Sequence, residues 1–551
     1  MLALNRKLLR DLKAMRGQVL AVGMVIASGV GVLVMALSVH QALEETSEAY
    51  YERYRFADVF AGATRVPNWI AGRIADIPGV QTVQPRISKL ATLDMPGFAE
   101  PVIGQLVSVP EDGEPLLNKV AILQGRSVRR DNPDEVIANE PFVEAQGLEL
   151  GDEFDAVING NKRRLRIVGI GLSPEFVYAI GPGALMPDDE RFGILWMGEK
   201  ALSAAFDLDG AFNDVSLGLL RVTDPLGVIE ALDQSLERYG GIGAIARKDQ
   251  LYNWFLSNEI QQIQLLARIL PAIFLAVAAF LTQMVLSRLI ATQRSEIGLL
   301  KAFGYNDFEI GWHFVKLVIM MSLAGIVMGW GVGAWLGRIT TELYADLYRF
   351  PLLIYRPGLS VFAIGAMVSI GVALAGTLGA VREAAKLPPA EAMRPPEPPA
   401  YRRNAILDGR VGRWFDQPTR ILFRQISRWP LRSAATSVGV GLSVGVLIMA
   451  MQWMDSIDHL ARTHFYDAQR QDFMIGLVEA QARRARFDFA QLPGVLAVEP
   501  ARIVPADLYH GLHHHRGSVQ GVPPGAELQP IYDASGRVIE PPESGLVLGT
   551  K

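Results

Sequence analysis

Five long apolar stretches interrupt an otherwise mixed pattern of apolar and polar positions. Each is long enough to cross a bilayer, which takes about 20 apolar residues, and none contains Asp, Glu, Lys or Arg. The alternative is buried helices of a large soluble protein, but charge-free stretches of this length are hard to place in a soluble core. The pattern therefore predicts a multi-pass α-helical membrane protein. The predicted spans are residues 18–39, 269–287, 317–337, 358–381 and 433–454.

The segment between the first two spans, residues 40–264, has a different pattern. Gly, Pro and charged residues are frequent there, and the apolar runs are short. Residues 135–171 are typical of a strand, a short helix, a Gly-Asp turn and a hairpin that turns at Asn159–Gly160. We therefore predict a large mixed α/β domain inserted between the first and second spans. Helical spacing of leucine and isoleucine among charged residues at 251–268 predicts that the second span extends from this domain as a stalk.

Basic residues indicate the orientation of the spans. They cluster before the first span, after the second, after the fourth and before the fifth, and such flanks remain in the cytoplasm. The short loop between the third and fourth spans also carries arginines, but alternation leaves one consistent topology. We predict a cytoplasmic amino terminus, and an extracytoplasmic location for residues 40–264.

Residues 1–17 precede the first span and have a helical pattern of their own. Leu4, Leu8, Leu12 and Met15 fall on one helical face, and basic residues fall elsewhere. This pattern is typical of a cytoplasmic helix that lies in the inner membrane interface. A plain cytoplasmic start is the alternative.

The third span contains four glycines spaced four residues apart. They are Gly325, Gly329, Gly333 and Gly337. A smooth stripe of this kind lets another helix approach closely, so we predict a helix-packing face. A sliding surface used during transport is the alternative.

The sequence partly repeats itself. Residues 15–37 resemble residues 431–453, and residues 77–80 resemble residues 492–495. A repeat of this length indicates a duplicated unit. The second unit would comprise a cytoplasmic linker and interfacial helix at 398–432, the fifth span at 433–454, and the start of a second, incomplete outer domain at 455–551. We expect the natural chain to continue past Lys551, with about eight spans in all.

The composition and the missing motifs exclude several classes of function. The net charge of −4 argues against a nucleic-acid partner, and the absence of cysteine excludes disulfides and thiolate metal sites. No G-x-x-x-x-G-K-[ST] loop that could hold nucleotide phosphates occurs. His510 and residues 513–515 could bind a divalent metal, although a solvated loop is the favoured interpretation. We predict no enzymatic activity, no metal site and no bound cofactor.

The order of one span, a large outer domain and three spans resembles the FtsX-like, MacB-type permeases of ABC transporters. Residues 293–310, QRSEIGLLKAFGYNDFEI, are similar to the cytoplasmic signature of that family. Residues 382–395 resemble the tail that closes each permease unit, with Met393 where leucine is common. By this resemblance, residues 40–264 are a MacB-like periplasmic core domain and residues 265–397 an FtsX-like permease domain.

The resemblance implies that a separate cytoplasmic ABC ATPase, which binds ATP and Mg²⁺, docks on the loop after the second span. Leu299, Leu300 and Phe303 are large apolar residues among charges, which is typical of an interface. A helix lying on lipid is the alternative. The coupling residues implied by the resemblance are Arg294, Glu296, Ile297, Gly298, Leu299, Leu300, Lys301, Phe303 and Gly304.

The resemblance also implies a function. It suggests a permease subunit in the bacterial inner membrane that couples ATP hydrolysis to export or extraction of a substrate on the periplasmic side. Membrane lipid and a periplasmic adaptor protein are the further partners it allows. The substrate could be a lipoprotein, a lipid, a peptide or a small hydrophobic compound. The alternative is a mechanotransmitting signalling protein that activates a periplasmic partner without transport, and a membrane-bound enzyme ranks third.

Overall fold

The chain forms two compact units, Met1–Ser443 and Val444–Lys551. The predicted linker at 398–415 and the residues 390–395 of the predicted tail lie outside the described residues. The computed structural model describes residues 2–98, 102–111, 113–184, 186–386, 388–389, 416–419, 422, 426, 430–477, 481–511, 513–533, 535–542 and 545–548.

Long helices form the frame of the first unit, and several run well beyond the apolar stretches. Within the described residues, five helices are long and apolar enough to cross a membrane. Three of them, α2, α7 and α9, have 38, 42 and 41 residues, and each is therefore roughly 60 Å long. This is about twice the thickness of a bilayer core, so a large part of each must stand outside it. The helices outside the α/β domain are α1 (Leu2–Ala14), α2 (Arg16–Arg53), α7 (Leu251–Thr292), α8 (Arg294–Ala302), α9 (Asp307–Leu347), α10 (Leu359–Lys386) and α11 (Pro430–Arg462).

The helices that flank the predicted outer domain, residues 40–264, continue into it. Helix α2 runs on to Arg53, and α7 already begins at Leu251. The extensions pack together: Leu43 and Tyr50 of α2 are fully buried, and Leu256 of α7 is almost so. Hydropathy marks only what crosses the bilayer, so it could not show that the polar continuation stays helical. The predicted stalk is confirmed, and α2 and α9 contribute to it as well as α7.

The α/β domain lies between α2 and α7 in the sequence and contains two sheets. Strands β11, β1, β10 and β2 form an antiparallel sheet in that order. The other seven strands follow the order β5-β8-β6-β9-β4-β3-β7, and β7 also pairs with β8, which closes six of them into a ring. The elements are β1 (Val59–Pro67), α3 (Ile70–Ala75), β2 (Val80–Arg86), β3 (Ser88–Asp94), β4 (Val102–Val109), β5 (Ala121–Gly125), β6 (Glu135–Asn139), α4 (Glu140–Gln146), β7 (Glu153–Ile158), β8 (Asn161–Leu172), β9 (Phe192–Gly198), α5 (Glu199–Ala205), β10 (Ala211–Leu219), α6 (Pro225–Leu236) and β11 (Ala244–Ala246).

The local prediction for residues 135–171 is confirmed. The segment forms β6, α4, β7 and β8 in that order. The β7–β8 hairpin turns at Asn159 and Gly160, whose φ angles are +48° and +79°. Positive φ at both turn positions is what a tight two-residue hairpin requires, and Asn-Gly is the pair that accepts it most readily.

A buried charge network joins the two sheets to the stalk. Arg86, at the end of β2, pairs with Glu175, which follows β8, and with Asp214 of β10. The backbone carbonyl of Glu175 also accepts a hydrogen bond of 3.1 Å from Gln250, the residue that caps α7. Because a buried charge is costly unless it is paired, this network fixes both sheets relative to the start of α7.

The outer end of α9 also contacts the α/β domain. Arg349, just after α9, donates a hydrogen bond of 2.7 Å to Glu144 of α4 and lies 3.5 Å from Asp189. Inside the stalk, the Tyr344 hydroxyl donates to Glu259 over 2.5 Å. The stalk therefore ends in polar contacts with the domain that it carries.

A carboxylate in the seven-stranded sheet gives a prediction about acid stability. Glu135 of β6 is nearly buried and accepts hydrogen bonds from Arg126, Asn132 and the backbone N–H of Arg129. The Arg126 hydrogen bond is the main cause that lowers the pKa of Glu135 to about 2. A depressed folded-state pKa contributes stability above the unfolded pKa, and this is lost as pH falls towards about 2.

We therefore expect Glu135→Gln to destabilise the α/β domain by about 2 kcal/mol at pH 7, allowing for the partial exposure of Arg126. The difference from the native chain should shrink as pH falls from about 4.5 towards 2. Urea denaturation at several pH values, followed by the fluorescence of buried Trp196, measures it. Glu153→Gln, an exposed position on β7, is the control. A destabilisation that stays constant with pH would contradict the lowered pKa of Glu135.

The second unit begins within α11 and contains short elements. They are α12 (Arg486–Ala490), β12 (Arg502–His510), β13 (His513–Gly521), β14 (Ile531–Tyr532) and β15 (Val538–Ile539). The histidines predicted to lie in a solvated loop instead belong to the paired strands β12 and β13, where His510 faces His513 across the hairpin. The sequence did not predict these strands, because Gly511 is the one residue near the histidines that is typical of a turn.

Candidate docking site around helix α8

Helix α8 is a short connector between two long helices, and its limits have clear local causes. It is separated from α7 by a single break at Gln293. It ends where Gly304 adopts φ +92°, and the N–H groups of Gly304 and Tyr305 donate to the carbonyls of Lys301 and Leu300. This is a Schellman ending, which favours glycine because its left-handed backbone penalises a Cβ atom. Gly304 therefore ends the helix.

One face of α8 packs against the protein. Ile297 and Gly298 are buried, and Ile297 belongs to a core that includes Leu8 of α1 and Ile310 and Phe314 of α9. Burial of an isoleucine side chain contributes about 1.5–3 kcal/mol. Ile297 and Gly298 therefore seat α8 on the inner ends of its neighbours.

Lys301 also faces inward. Its ammonium donates to Asp307 over 2.7 Å and to the backbone carbonyl of Ala385, in the last turn of α10, over 2.6 Å. A cation at a helix C-terminus satisfies free carbonyls and complements the helix dipole. Because the side chain is only 7% exposed, Lys301 holds α8 to α9 and α10.

The opposite face of α8 is apolar and exposed. Leu299 is 51% and Phe303 74% exposed, while Leu300 is half-buried. Phe308, 79% exposed, follows in the first turn of α9, and its ring lies parallel to that of Trp312 with 6.5 Å between the ring centroids. We call Leu299, Phe303, Phe308 and Trp312 the docking surface. Exposed large apolar groups in one place are typical of an interaction site.

The candidate docking residues predicted from the sequence do not include Phe308 and Trp312. A usable signal was present, because two aromatic residues four positions apart share a helical face. The helix start was also marked by the capping box that Asn306 and Glu309 form. These signals place both rings on the first turns of α9, next to the end of α8.

The two charged residues at the start of α8, Arg294 and Glu296, have different surroundings. Glu296 pairs with Lys7 of α1 over 2.9 Å, and the Nε atom of Arg294 is buried without a hydrogen-bond partner among the described residues. Lys7 also donates to Asp11 over 2.8 Å and to Gln293 over 3.0 Å. The acceptors of Lys7 therefore lie on three segments: α1, the α7–α8 break and α8.

Helix α1 packs on protein with the face that was predicted to meet lipid. Leu8 is 6% exposed, and Leu12 and Met15 pack against the same core as Ile297. Leu9, on another face of α1, is exposed. The i, i+4 spacing marked an apolar face correctly, but a spacing alone does not say whether protein or lipid covers it.

The glycine stripe of α9 lies against α2. A Cβ atom at Gly325 would be 2.6 Å from the carbonyl oxygen of Gly23, and one at Gly333 would be 2.7 Å from that of Gly31. At Gly329 it would meet Val30 at 2.7 Å. The fourth glycine, Gly337, faces the Tyr355 hydroxyl at 2.8 Å. Only glycine permits the close approach of α9 to α2, because small residues let helix backbones come near each other in a membrane.

These features define a class of protein: a multi-pass membrane permease with a large α/β domain and a short connector helix at the opposite ends of its long helices. The family described as "FtsX-like permease C-terminal" matches residues 268–389. These residues, from within α7 into the segment after α10, are similar to the FtsX-like permeases. The predicted resemblance is confirmed.

A curated relative supports the same class. It is an uncharacterised ABC transporter permease, MG064, of Mycoplasma genitalium, 20% identical over 203 residues. The aligned part covers 34% of this chain and 15% of that relative.

Two solved structures resemble part of this chain, both with low TM-scores. The periplasmic region of MacB from Actinobacillus actinomycetemcomitans has a TM-score of 0.24 and 12% identity, and covers 38% of this chain and 92% of that one. The extracellular domain of the transporter YknZ from Gram-positive bacteria has a TM-score of 0.23 and 11% identity, and covers 34% of this chain and 98% of that one. At these TM-scores the likeness carries no conclusion.

Proposed function

We propose that the chain is the permease subunit of an ABC transporter and that a separate cytoplasmic ATPase binds to its docking surface. The observation that carries the proposal is the exposed apolar face of Leu299, Phe303 and Phe308, at the membrane-helix end that is opposite the α/β domain. The FtsX-like family supports an ATPase partner in general terms. In this proposal, binding and hydrolysis of ATP move α8, and the permease converts that motion into export or extraction of a substrate.

The long helices support the direction of coupling. Helix α2 begins beside α1, near α8, and α7 ends at the break before α8. Both reach the α/β domain at their other ends, and α9 contacts it through Arg349. A helix of this length behaves as a stiff rod of roughly 60 Å. A displacement at the docking surface would therefore reach the α/β domain along three helices.

The orientation is a further part of the proposal. Basic flanks favour a cytoplasmic location for α1 and α8 and an extracytoplasmic location for the α/β domain. We propose that the protein lies in the bacterial inner membrane. We propose that residues 1–17 are the inner helix, that the periplasmic core lies within residues 40–264, and that residues 265–397 form the permease domain. Residues 398–551 would be the corresponding start of a second unit.

The orientation can be tested by labelling, since the native chain has no cysteine. Ser127→Cys lies on the α/β domain and Ser295→Cys on α8, and both positions are exposed. An impermeant maleimide added to intact spheroplasts should label position 127, and should label position 295 only after permeabilisation. The reverse pattern would contradict the proposed orientation.

The test of the function itself is reconstitution of the permease with cytoplasmic ABC ATPases of the same cell. We expect one of them to co-purify with the permease, which should stimulate its ATP turnover. The control is the same ATPase with lipid vesicles that lack the permease. The proposal would be contradicted if none of these ATPases bound the permease or changed its turnover in any lipid tested.

A further inference from the structure

The ammonium of Lys7 sits at the junction of the elements that surround α8. It lies 2.8 Å from Asp11 of α1, 3.0 Å from Gln293 at the α7–α8 break, and 2.9 Å from Glu296 of α8. The contacts with Asp11 and Gln293 are hydrogen bonds, and the contact with Glu296 is an ion pair. Hydrogen bonds between charged groups are about twice as strong as neutral ones.

The members of this contact differ in their exposure to water. The Lys7 side chain is 22% exposed and that of Asp11 only 11%, whereas that of Glu296 is 57% exposed. On the far side, Asp11 lies 3.8 Å from Nε2 of the buried His313 of α9, which is too far for a hydrogen bond. Of the basic residues of α1, Lys7 is the one that reaches α8, whereas Lys13 is exposed.

Helix α8 needs such support because it is short. Nine residues are too few for a stable isolated helix, so packing must fix its direction. Ile297 seats its middle and Lys301 ties its C-terminal end to α10. The N-terminal end is tied by Lys7, and α1 continues into α2 after a break at Met15 alone.

We infer that Lys7 is a positioning residue, which holds the N-terminal end of α8 against α1 so that α8 and α2 move together. The inference rests on the proposed function for its role in coupling. Docking itself uses the opposite face of α8, so loss of Lys7 should leave ATPase binding in place. What it should remove is the transfer of motion from α8 to α2.

The first measurement needs only the permease. A spin label at Ser295→Cys, in the otherwise cysteine-free chain, reports the motion of α8. Lys7→Ala should raise the mobile fraction of the label about threefold, since the lost ion pair with Glu296 is partly exposed. Lys13→Ala removes the same side chain from an exposed position of α1, and it should change nothing. Lys7→Arg keeps the charge and the donors, and it should restore the native spectrum. An unchanged spectrum in Lys7→Ala would overturn the inference.

The second measurement uses the permease with its ATPase. Lys7→Ala should co-purify with the ATPase at native yield, while stimulated ATP turnover falls about threefold. Lys7→Arg should recover the turnover. Loss of co-purification in Lys7→Ala, or unchanged turnover, would overturn the positioning role. If Phe303→Ala leaves co-purification intact, the docking surface is wrong, and the spin-label result still decides whether Lys7 holds α8.

Discussion

Replacement of Phe303 by alanine should lower the affinity of the permease for its ATPase about 30-fold. Phe303 is 74% exposed at the C-terminal end of α8, so its ring contributes little to the fold. Truncation of a buried aromatic anchor in an interface typically costs about 2 kcal/mol or more, which corresponds to this factor. Phe308→Ala should have a similar effect, because its ring extends the same surface. The double variant should lose ATP stimulation altogether.

The measurement is co-purification with the ATPase at graded concentrations, together with stimulated ATP turnover. Phe473→Ala is a matched control, since Phe473 is 70% exposed in the second unit and lies outside the docking surface. Membrane insertion and the folding of the α/β domain should be native in all variants. Native affinity and turnover in the Phe303→Ala and Phe308→Ala double variant would show that the ATPase does not bind the docking surface.

A substitution in the glycine stripe should have the largest effect on the membrane helices. In Gly329→Val, the new Cβ would lie 2.7 Å from the Cβ of Val30 and 2.9 Å from the carbonyl oxygen of Ala27. Those neighbours belong to the α2 backbone and to a stiff β-branched side chain, so neither can yield easily. Overpacking of this kind costs about 1–3 kcal/mol. We expect α2 and α9 to separate and the solubilised protein to unfold at a markedly lower temperature.

Gly331→Val is the matched control on the same helix. A Cβ atom at Gly331 would meet nothing within 4 Å, so the same substitution should leave the melting temperature nearly unchanged. Thermal unfolding in detergent, followed by size-exclusion chromatography, compares the two variants. Equal melting temperatures would show that the close approach of α2 and α9 does not support the fold.

Much of the fold followed from local sequence rules. The apolar runs lie in long helices, and Asn159–Gly160 turns the hairpin that its residue types demand. The limits of the outer domain did not follow. Between 40 and 53 the residues are polar enough to suggest a domain surface, yet they continue α2 because Leu43 and Tyr50 are covered by other helices. Burial of these two side chains depends on helices that are distant in the sequence.

The candidate site was predictable in part. The position of α8, its ending at Gly304 and the exposed face of Phe303 follow from the order of residues around 294–304. The inward role of Lys301 and the contact between Lys7 and Glu296 do not. A charged residue in a sequence can equally face solvent or a partner within the chain. Only the packing of α1 and α10 beside α8 decides between them.

The central claim is that the docking surface contacts an ATPase. The most direct test is photo-crosslinking in living cells, with p-benzoylphenylalanine in place of Phe303 and, as a control, in place of Phe473. We expect a crosslink from position 303 to the cytoplasmic ATPase subunit, and none to that subunit from position 473. Crosslinks from position 303 to lipid alone, or to an extracytoplasmic protein, would contradict the proposed function.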